Sequence, residues 1–340
     1  MAVKRVALTL VIPMLLSDLW ASQAAGQPRG RPQSSGPAIV DVRKIWDQAP
    51  HCAFTDLVRR QDRWWCVFRE GQGHVSPAGT IRVITSADGR AWESAASLRR
   101  ADTDLRDPKI SLMPDGRLML LAAASWHADD APLRRQPLTW FSNDGREWTS
   151  PIEIGEPNYW LWRVAWQDGA AYGVGYGVGE QETRQVRLYK SRDGRNFETL
   201  VDNLFDEGSP NESSLLFEGD HALCILRRDG EPNTAVMGTT RAPYTEWSWQ
   251  DLGVRIGGPH LIRLSDGRIV AAGRFYDGGA RTGLAWLDPQ QATLTEFLRL
   301  PSGGDTSYPG MVEHDGLLWV SYYSSHEGKA NIYLARVRLP

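Results

Sequence analysis

Ionisable and aromatic residues recur at one position of a repeating unit in this chain, just before successive apolar segments. Glu212 precedes one such segment and Tyr308 precedes another. The corresponding residues of the other units are His51, Cys52, Arg106, Asp107, Trp160, Trp162, Arg163 and His260. If the segments are strands around one axis, these side chains converge although they are far apart in the sequence. Such a convergence of titratable groups predicts a binding or catalytic site.

A second set of polar residues follows the next apolar segment of each unit. It comprises Arg69, Glu70, His74, Trp126, His127, Arg227, Arg228, Arg274, and residues 322–326 with His326 at their end. Because a buried unpaired charge is costly, Arg227 and Arg274 at converging positions indicate a site for an anion. Arg228 is expected to face outward, since neighbouring residues of a strand alternate between its faces. Trp126, Trp160 and Trp162 are candidates for stacking on sugar rings.

A short repeat shows which elements position these residues. The pattern Ser-x-Asp-Gly-Arg-x-Trp/Phe occurs at residues 86–92, 142–148 and 191–197, at intervals of 56 and 49 residues. In each copy the Ser and Asp side chains can bond the local backbone, the glycine can adopt positive φ, and the aromatic residue can cover the turn. The pattern therefore predicts a rigid β-hairpin turn. A period of this length is typical of propellers or solenoids, and Asp88, Asp144 and Asp193 are assigned to structure, not catalysis.

The apolar segments define six units of one design. Their first strands are expected to begin near Phe54, Pro108, Arg163, Ser213, Pro259 and Pro309. Asp-Gly turns at residues 115–116, 168–169, 266–267 and 315–316 separate the first and second strands of four units. The last unit lacks a fourth strand, which residues 38–46 can supply, so that no sheet edge stays open. We predict an all-β chain that forms a six-bladed β-propeller of four-stranded antiparallel blades over residues 38–340, closed by the N-terminal strand.

Composition limits the function classes. The chain has 340 residues, 15 tryptophans, 33 glycines and a net charge of −3. Without a basic tract, nucleic acid is not an expected partner. A signal peptide is predicted over residues 1–25, because Lys4 and Arg5 are followed by an apolar run and by small residues up to Ala25. The apolar run is too short to span a membrane. Residues 26–37 are predicted to form a flexible leader. We expect export to the periplasm or the cell exterior; the oligomeric state stays open.

Cysteine and histidine spacing indicates neither a disulfide framework nor a metal centre. An odd count of three cysteines allows at most one internal bridge, between Cys52 and Cys66 across one hairpin, and the alternative is three buried thiols. The chain has no His-x-x-x-His or Cys-x-x-Cys spacing. We therefore expect no metal and no cofactor.

The repeats, the six units and the order Glu212, Arg227, Arg274, Tyr308 resemble the sialidase (neuraminidase) superfamily, whose repeats are known as Asp boxes or BNR repeats. The resemblance covers nearly the whole chain after the leader. It implies that Tyr308 is the nucleophile and Glu212 its base, while Arg227 and Arg274 hold the substrate carboxylate. A neutral phenol ionised by a carboxylate can approach an anionic centre without the repulsion that a second carboxylate would meet.

Two parts of the family pattern are missing from this chain. The family's first arginine belongs just before the first strand, where residues 50–52 are Pro-His-Cys. The family's acidic loop of the first unit corresponds to residues 68–74, which contain no aspartate. Glu70, His74 or Asp107 is expected to serve as acid/base instead. Arg69, Arg106, His127, Arg163, His260, Trp126 and His326 are the further candidates for substrate binding.

The sequence thus leaves three functions open. The first is an exported, retaining, exo-acting glycoside hydrolase for an anionic glycan. The second is a polysaccharide lyase, in which arginines neutralise a uronate carboxylate while Tyr308 or a histidine abstracts the α-proton. The third is a non-catalytic glycan-binding propeller, favoured by the missing arginine and aspartate. The fold by itself does not decide among them.

Overall fold

A computed structural model describes residues 36–127, 134–178 and 185–340 of the chain. The predicted signal peptide and most of the predicted leader lie outside these residues. The described residues form 24 β-strands in six antiparallel sheets of four strands each. The sheets are the blades of a six-bladed β-propeller, which confirms the predicted fold class. No helix long and apolar enough to cross a membrane occurs in the described ranges.

Blades one to three contain the three repeat turns. Blade one comprises β2 (His51–Arg60), β3 (Arg63–Gly71), β4 (Thr80–Ser86) and β5 (Glu93–Leu98). Blade two comprises β6 (Asp104–Leu112), β7 (Leu118–Ser125), β8 (Arg135–Ser142) and β9 (Ile152–Glu153). Blade three comprises β10 (Tyr159–Gln167), β11 (Ala170–Gly177), β12 (Val186–Ser191) and β13 (Glu198–Phe205).

Blades four to six lack that turn. Blade four comprises β14 (Pro210–Glu218), β15 (His221–Arg228), β16 (Val236–Arg241) and β17 (Ser248–Asp251). Blade five comprises β18 (Ile256–Arg263), β19 (Ile269–Phe275), β20 (Arg281–Asp288) and β21 (Thr293–Arg299). Blade six comprises β22 (Thr306–His314), β23 (Leu317–Ser324), β24 (Asn331–Arg338) and β1 (Ala38–Trp46).

The N-terminal strand closes the ring as predicted. β1 pairs antiparallel with β24, from Ala38 opposite Arg338 to Trp46 opposite Ile332. The first and last parts of the propeller are therefore joined in one sheet, and blade six has its fourth strand. Without β1, the outer edge of β24 would be unpaired.

The second strand of a blade is buried on both faces. In β7 every residue from Leu118 to Ser125 is buried, and the strand is a nearly continuous apolar run. Half of the residues in the outermost strand β13 are exposed, and exposed and buried residues do not alternate along it. The core therefore lies between blades, where the second and third strands of neighbouring sheets face each other.

Each repeat turn docks on the preceding blade. A Cβ at Gly145 would lie 2.3 to 2.6 Å from the ring of Trp65, and the equivalent Gly89 and Gly194 face Trp319 and Met119. Within the turn, Asp144 Oδ1 accepts hydrogen bonds from the backbone N–H groups of Arg146 and Glu147, both at 2.9 Å. These turns thus stabilise the packing of adjacent blades, far from the starts of the inner strands.

The three cysteines are buried free thiols. Cys52 lies opposite Glu70 in the β2–β3 ladder, whereas Cys66 lies opposite Leu57. The suggested Cys52–Cys66 bridge is therefore wrong, because the register places the two side chains at different points along the hairpin. The alternative of three buried small side chains is confirmed.

Candidate active site

The innermost strand of every blade is irregular at the same place. Its pairing with the second strand shifts register between Ala53 and Asp56, Arg106 and Lys109, Leu161 and Arg163, Pro210 and Ser213, Gly257 and His260, and Ser307 and Gly310. Such a bulge redirects the side chains of the strand. Tyr308, at φ 50°, and Asp107, at φ 49°, lie within two of these bulges. Left-handed conformations of bulky residues are costly and concentrate at functional sites.

Tyr308 and Glu212 meet across the propeller axis. The phenol of Tyr308 donates a hydrogen bond of 2.5 Å to Glu212 Oε1, although 96 residues separate them. Glu212 Oε2 accepts hydrogen bonds from Arg227 Nη1 and from the backbone N–H of Gly258, both at 2.6 Å. A Cβ at Gly258, which has φ +56°, would lie 2.9 Å from the Tyr308 ring. Blade five therefore needs a glycine here to let the backbone contact both partners.

Two arginines lie against this pair. Arg227 Nη1 is 3.4 Å from the Tyr308 hydroxyl, and its other side binds Asp229. The Arg274 guanidinium lies over the Tyr308 ring, 5.3 Å from the centroid. Burial opposes the charge of Arg227, but Glu212 and the other acidic groups around it together outweigh burial and raise the Arg227 pKa. Both side chains therefore stay cationic beside the Tyr308 hydroxyl.

Arg274 retains a free donor group. Its Nε binds the carbonyl of Thr306 at 2.8 Å, and its Nη2 binds the hydroxyl of Tyr323 at 2.9 Å and Asp305 at 3.4 Å. Its Nη1 makes no hydrogen bond to any residue that the structure describes. An anionic ligand can therefore be bound there without breaking an existing contact.

Tyr308 is held in its protonated form. Burial first, and then the Glu212 carboxylate, raises the pKa of this phenol well above its usual value. Its ring contacts Phe54 and Trp162 edge to face, with centroids 5.4 and 5.6 Å away. The ring position is thus fixed, while proton transfer to Glu212 requires a change of local charge.

His74 forms a pair with Asp305 at the edge of the site. His74 Nδ1 donates to Asp305 Oδ2 at 2.7 Å, which leaves Nε2 without a partner in the described ranges. The half-exposed His74 ring stands edge-on to Phe54, with centroids 5.2 Å apart. Burial alone would raise the Asp305 pKa, but the hydrogen bonds from His51 and His74 hold it well below its usual value. A carboxylate that fixes one ring nitrogen orients the other for proton transfer.

His51, His74 and Asp305 also form the one group of three potential metal ligands within the described residues. Their ligand atoms lie within 4.8 Å of one another. His51 Nε2 binds the same Asp305 oxygen at 3.0 Å. These separations are those of hydrogen bonds, so the two rings satisfy this carboxylate oxygen directly.

Asp107 is a second potential acid. It is buried, its Oδ1 has no hydrogen-bond partner, and burial raises its pKa despite the positive charges of Arg106 and Lys109. Its charge also contributes to the raised pKa of Tyr308. Burial therefore favours the protonated form of Asp107, and this carboxyl group lies close to Tyr308 and Glu212.

Arg69, Arg106 and His127 are connected through Asp104. Arg69 binds Asp104 in a bidentate pair at 2.6 and 3.0 Å, and Arg106 and His127 approach the same carboxylate at 3.3 and 3.1 Å. The guanidinium of Arg106 lies 5.1 Å from the Phe54 ring centroid, next to the site. Arg69 is fully buried, and its contacts are those of a structural residue.

Several predicted residues are not brought to Tyr308. Glu70 points to the opposite face of β3 from Arg69 and binds Arg82 and the indole of Trp46. His326 binds Ser324, and its ring lies against Tyr333. Trp126 packs in blade two under the Arg100 guanidinium. Glu70 points away because neighbouring residues of a strand face opposite sides of the sheet, and the sequence-based prediction treated this strand end as a loop.

Arg163 and His260 lie on the axis beyond Tyr308. Arg163 pairs with Asp56, at 2.9 and 3.0 Å, in the channel that the inner strands enclose. His260 is partly buried, and desolvation, followed by the charge of Arg163, holds its pKa well below the usual value. Arg228 binds Thr234 and Asp251, away from Glu212, as the strand alternation predicted.

Sequence reasoning did not single out four residues of the site. They are Asp305, Tyr323, Asp229 and Lys109. Asp305 lies just before the inner strand β22, and Lys109 follows the bulge of the inner strand β6, so the same positional argument could have included them. Tyr323 was within the predicted stretch 322–326, but only its orientation distinguishes it from Tyr322.

No family model and no curated protein matches the chain. Solved structures do. The chain is similar to a protein of unknown function from Dyadobacter fermentans, with a TM-score of 0.79 and 19% identity, over 90% of this chain and all of that one. It is also similar to Trypanosoma rangeli sialidase bound to the inhibitor DANA, with a TM-score of 0.66 and 12% identity, over 85% of this chain and 55% of the sialidase.

A third similar structure is an α-L-arabinofuranosidase from Fusarium graminearum in complex with an iminosugar inhibitor. The TM-score is 0.68 and the identity 12%, over 88% of this chain and 98% of the enzyme. The chain therefore spans about half the length of the trypanosome sialidase but nearly all of the arabinofuranosidase. At these identities the likeness shows the shared propeller fold.

Proposed function

We propose that the protein is an exported glycoside hydrolase in which Tyr308 is the nucleophile and Glu212 its base. The observation that carries the proposal is the 2.5 Å hydrogen bond between Tyr308 and Glu212, with Arg227 against both groups. Two of the similar propellers are named as glycosidases, a sialidase and an arabinofuranosidase. Export rests on the predicted signal peptide alone.

The chemistry follows from the charges around the phenol. Glu212 accepts the Tyr308 proton as the phenol oxygen attacks the anomeric carbon, and the nearby Arg227 stabilises the developing phenolate. As the glycosyl-tyrosine bond forms, the glycosidic bond breaks and the acid/base protonates the departing oxygen. In the second displacement a water that the same acid/base deprotonates attacks the anomeric carbon, and Tyr308 leaves and regains its proton from Glu212. The anomeric configuration is then retained.

His74 is proposed as the acid/base, with Asp305 as its orienting partner. His74 lies in the predicted loop of the first blade, its Nε2 is unpaired in the described residues, and Asp305 holds Nδ1. Asp107 is the alternative, since burial raises its pKa. Glu70 is disfavoured for this role because both of its carboxylate oxygens are engaged on the other face of β3.

An anionic substrate is proposed because of Arg274. Its Nη1 is free to bind a carboxylate, and Arg227 adds a second positive charge. Where the sialidase pattern has its first arginine, His51 is bound to Asp305. The proposed carboxylate site thus contains two arginines, Arg227 and Arg274. We expect it to bind a substrate carboxylate less tightly than a site with three arginines would.

A polysaccharide lyase is the second candidate. The same His74–Asp305 pair could act as a base on the carbon next to a uronate carboxylate held by Arg274. Products distinguish the two reactions. Sialosides, arabinosides and uronate polymers should be incubated with the protein while free sugar and the absorbance of a new double bond are followed. Unsaturated products would show that the protein is a lyase and not a hydrolase. A glycan that is bound but unchanged would indicate a binding protein.

The direct test of the nucleophile is Tyr308→Phe. This change keeps the ring between Phe54 and Trp162 and removes only the hydroxyl, so we expect activity to fall on the order of 10³-fold or more with little change in stability. Tyr322→Phe is the matched control, because the Tyr322 hydroxyl binds the carbonyl of Pro301 instead. Full activity in Tyr308→Phe would refute the assignment.

A further inference from the structure

The guanidinium group of Arg227 is held at two opposite edges. Its Nη1 binds Glu212 Oε2 at 2.6 Å and lies 3.4 Å from the Tyr308 hydroxyl. The other edge binds Asp229, because Nε donates to Oδ1 at 3.0 Å and Nη2 lies 2.9 Å from Oδ2. A pair that uses two nitrogens at once fixes the plane of a guanidinium group. Asp229 thus directs Nη1 towards Tyr308 and Glu212.

The backbone of Asp229 is fixed within blade four. Asp229 directly follows β15, and its N–H donates to the carbonyl of Ser209 at 3.2 Å. The N–H of Gly230 donates to the carbonyl of Gly208 at 3.0 Å. These bonds tie the end of β15 to the segment that leads into β14, the strand that contains Glu212. Asp229 therefore cannot move independently of Glu212.

Two further side chains hold the Asp229 carboxylate. Asn211, the residue before Glu212, donates from Nδ2 to Asp229 Oδ2 at 2.9 Å. Arg255, which precedes β18 of blade five, lies 3.5 Å from Oδ1. The carboxylate is therefore kept in one position, although 37% of the side chain is exposed. A group that orients a neighbour must itself be held in this way.

Arg227 needs such a partner because its side chain is long and has many rotamers. With Glu212 as its one carboxylate partner, the guanidinium could turn and bind both oxygens of Glu212. Oε1 would then be engaged by Arg227, although it is the oxygen that accepts the Tyr308 hydroxyl. By occupying Nε and Nη2, Asp229 restricts Arg227 to Oε2 and leaves Oε1 to Tyr308.

We propose that Asp229 is a positioning residue for the nucleophile, which orients Arg227 so that Glu212 Oε1 stays available to Tyr308. This role rests on the proposed function, since it concerns the proton transfer from Tyr308 to Glu212. Within the described residues Asp229 makes no hydrogen bond to Tyr308 or to the Glu212 carboxylate. It therefore acts through Arg227.

A crystal structure of Asp229→Ala tests the positioning without a substrate. We expect the Arg227 guanidinium to turn towards Glu212 and to bind both of its oxygens, so that the bond from Tyr308 lengthens or is lost. Asp251→Ala is the matched control, because Asp251 binds the neighbouring Arg228 instead. Arg227 should keep its place in that variant. An Arg227 side chain that also keeps its place in Asp229→Ala would overturn the proposal.

Kinetics test whether Asp229 acts through Arg227. With a substrate from the product screen, Asp229→Ala should lower kcat about 10- to 100-fold and change KM less, whereas Asp251→Ala should keep the wild-type kcat. In an Arg227→Met background, Asp229→Ala should lower kcat no further, since the group that it positions is gone. Losses that multiply in the double variant would overturn the proposal, because Asp229 would then act independently of Arg227.

A second variant covers the case in which Asp229→Ala does not fold. Asp229→Asn keeps one oxygen acceptor, so we expect a smaller loss of kcat, again absent in the Arg227→Met background. The two proposals can fail separately. If no substrate is hydrolysed, the proposed function fails, but the crystal structure still shows whether Asp229 holds Arg227. If hydrolysis is found and Arg227 does not move in the variant, only the role of Asp229 is refuted.

Discussion

The repeat turns are held together by contacts between near neighbours in the sequence, whereas the site around Tyr308 is held together by contacts between distant residues. In a repeat turn, Asp193 accepts hydrogen bonds from backbone N–H groups two and three residues ahead. In the site, Tyr308 binds a carboxylate 96 residues away. The turn is repeated three times with the same contacts, whereas each bulge of the inner strands presents a different side chain. Repetition thus stabilises the blades, and variation at the bulges supplies the chemistry.

This comparison implies that activity and stability can be separated. Changes at the bulges should remove activity and leave the fold, because the blades do not depend on the site contacts. Changes in the repeat turns should weaken the fold and leave the activity of the folded protein.

Glu212→Gln should have the largest effect. The amide keeps the shape of the side chain but cannot accept the Tyr308 proton, so we expect kcat to fall about 10²–10⁴-fold. Glu218→Gln on the same strand β14 is the control, because Glu218 pairs with Arg263 at the surface. Steady-state kinetics with a substrate from the product screen measures both variants. A variant that keeps wild-type kcat would show that the Tyr308–Glu212 pair is structural.

His74→Gln should have the next largest effect. Loss of the acid/base should lower kcat about 10²-fold for substrates with poor leaving groups, and much less for activated aryl glycosides. Asp107→Asn is measured in parallel. If Asp107→Asn shows the dependence on leaving group and His74→Gln does not, the acid/base is Asp107, and the His74–Asp305 pair positions the loop.

Gly145→Ala should lower stability by about 2–4 kcal/mol. The new Cβ would collide with Trp65, and the residue would keep φ at +74°. Gly116→Ala is the matched control, since Gly116 has φ +83° but no atom within 4 Å of the added Cβ. It should cost about 1 kcal/mol, the conformational part alone. Urea unfolding measures both, and equal losses would show that docking of the turn on blade one adds nothing.

Asp193→Asn should have the smallest effect, and one that depends on pH. Burial would raise the Asp193 pKa, but hydrogen bonds from the backbone N–H groups of Asn196 and Arg195 outweigh it and lower the pKa from 3.8 to about 2. A carboxylate with a lowered pKa stabilises the folded state above the unfolded value and loses that contribution as the pH falls towards the folded one. The difference between wild type and variant, below about 1 kcal/mol, should therefore shrink from pH 5 to pH 3. A constant difference would refute the role of the charge.

The periodicity of the sequence was sufficient to predict the propeller architecture. Asp-Gly turns and apolar runs located the strands of most blades, and the strand at residues 38–46 was the one left to close blade six. The same reasoning placed Arg227 and Arg228 on opposite faces of β15. It failed for the Cys52–Cys66 bridge, because a hairpin register depends on where a bulge inserts its extra residue.

The residues of the site could be predicted only in part from the sequence. Positions before each inner strand were expected to converge, and Tyr308, Glu212, Arg227 and Arg274 do so. Glu70 and His74 were equal candidates in one loop, but strand pairing turned Glu70 towards Arg82 and placed His74 beside Asp305. Asp305 had no distinguishing neighbour in the sequence. Its partners come from blades one, five and six, and blades one and six meet only when the ring closes.

By itself, the sequence determined the number of blades, their order and the local turns, because these depend on contacts within a few residues and on a repeated pattern. Only the tertiary structure shows which carboxylate faces which histidine, which arginine keeps a free donor within the described residues, and that the Lys109 ammonium lies over the rings of Trp162 and Tyr308. Those properties arise where six bulges meet on one axis, so each depends on residues contributed by distant parts of the chain.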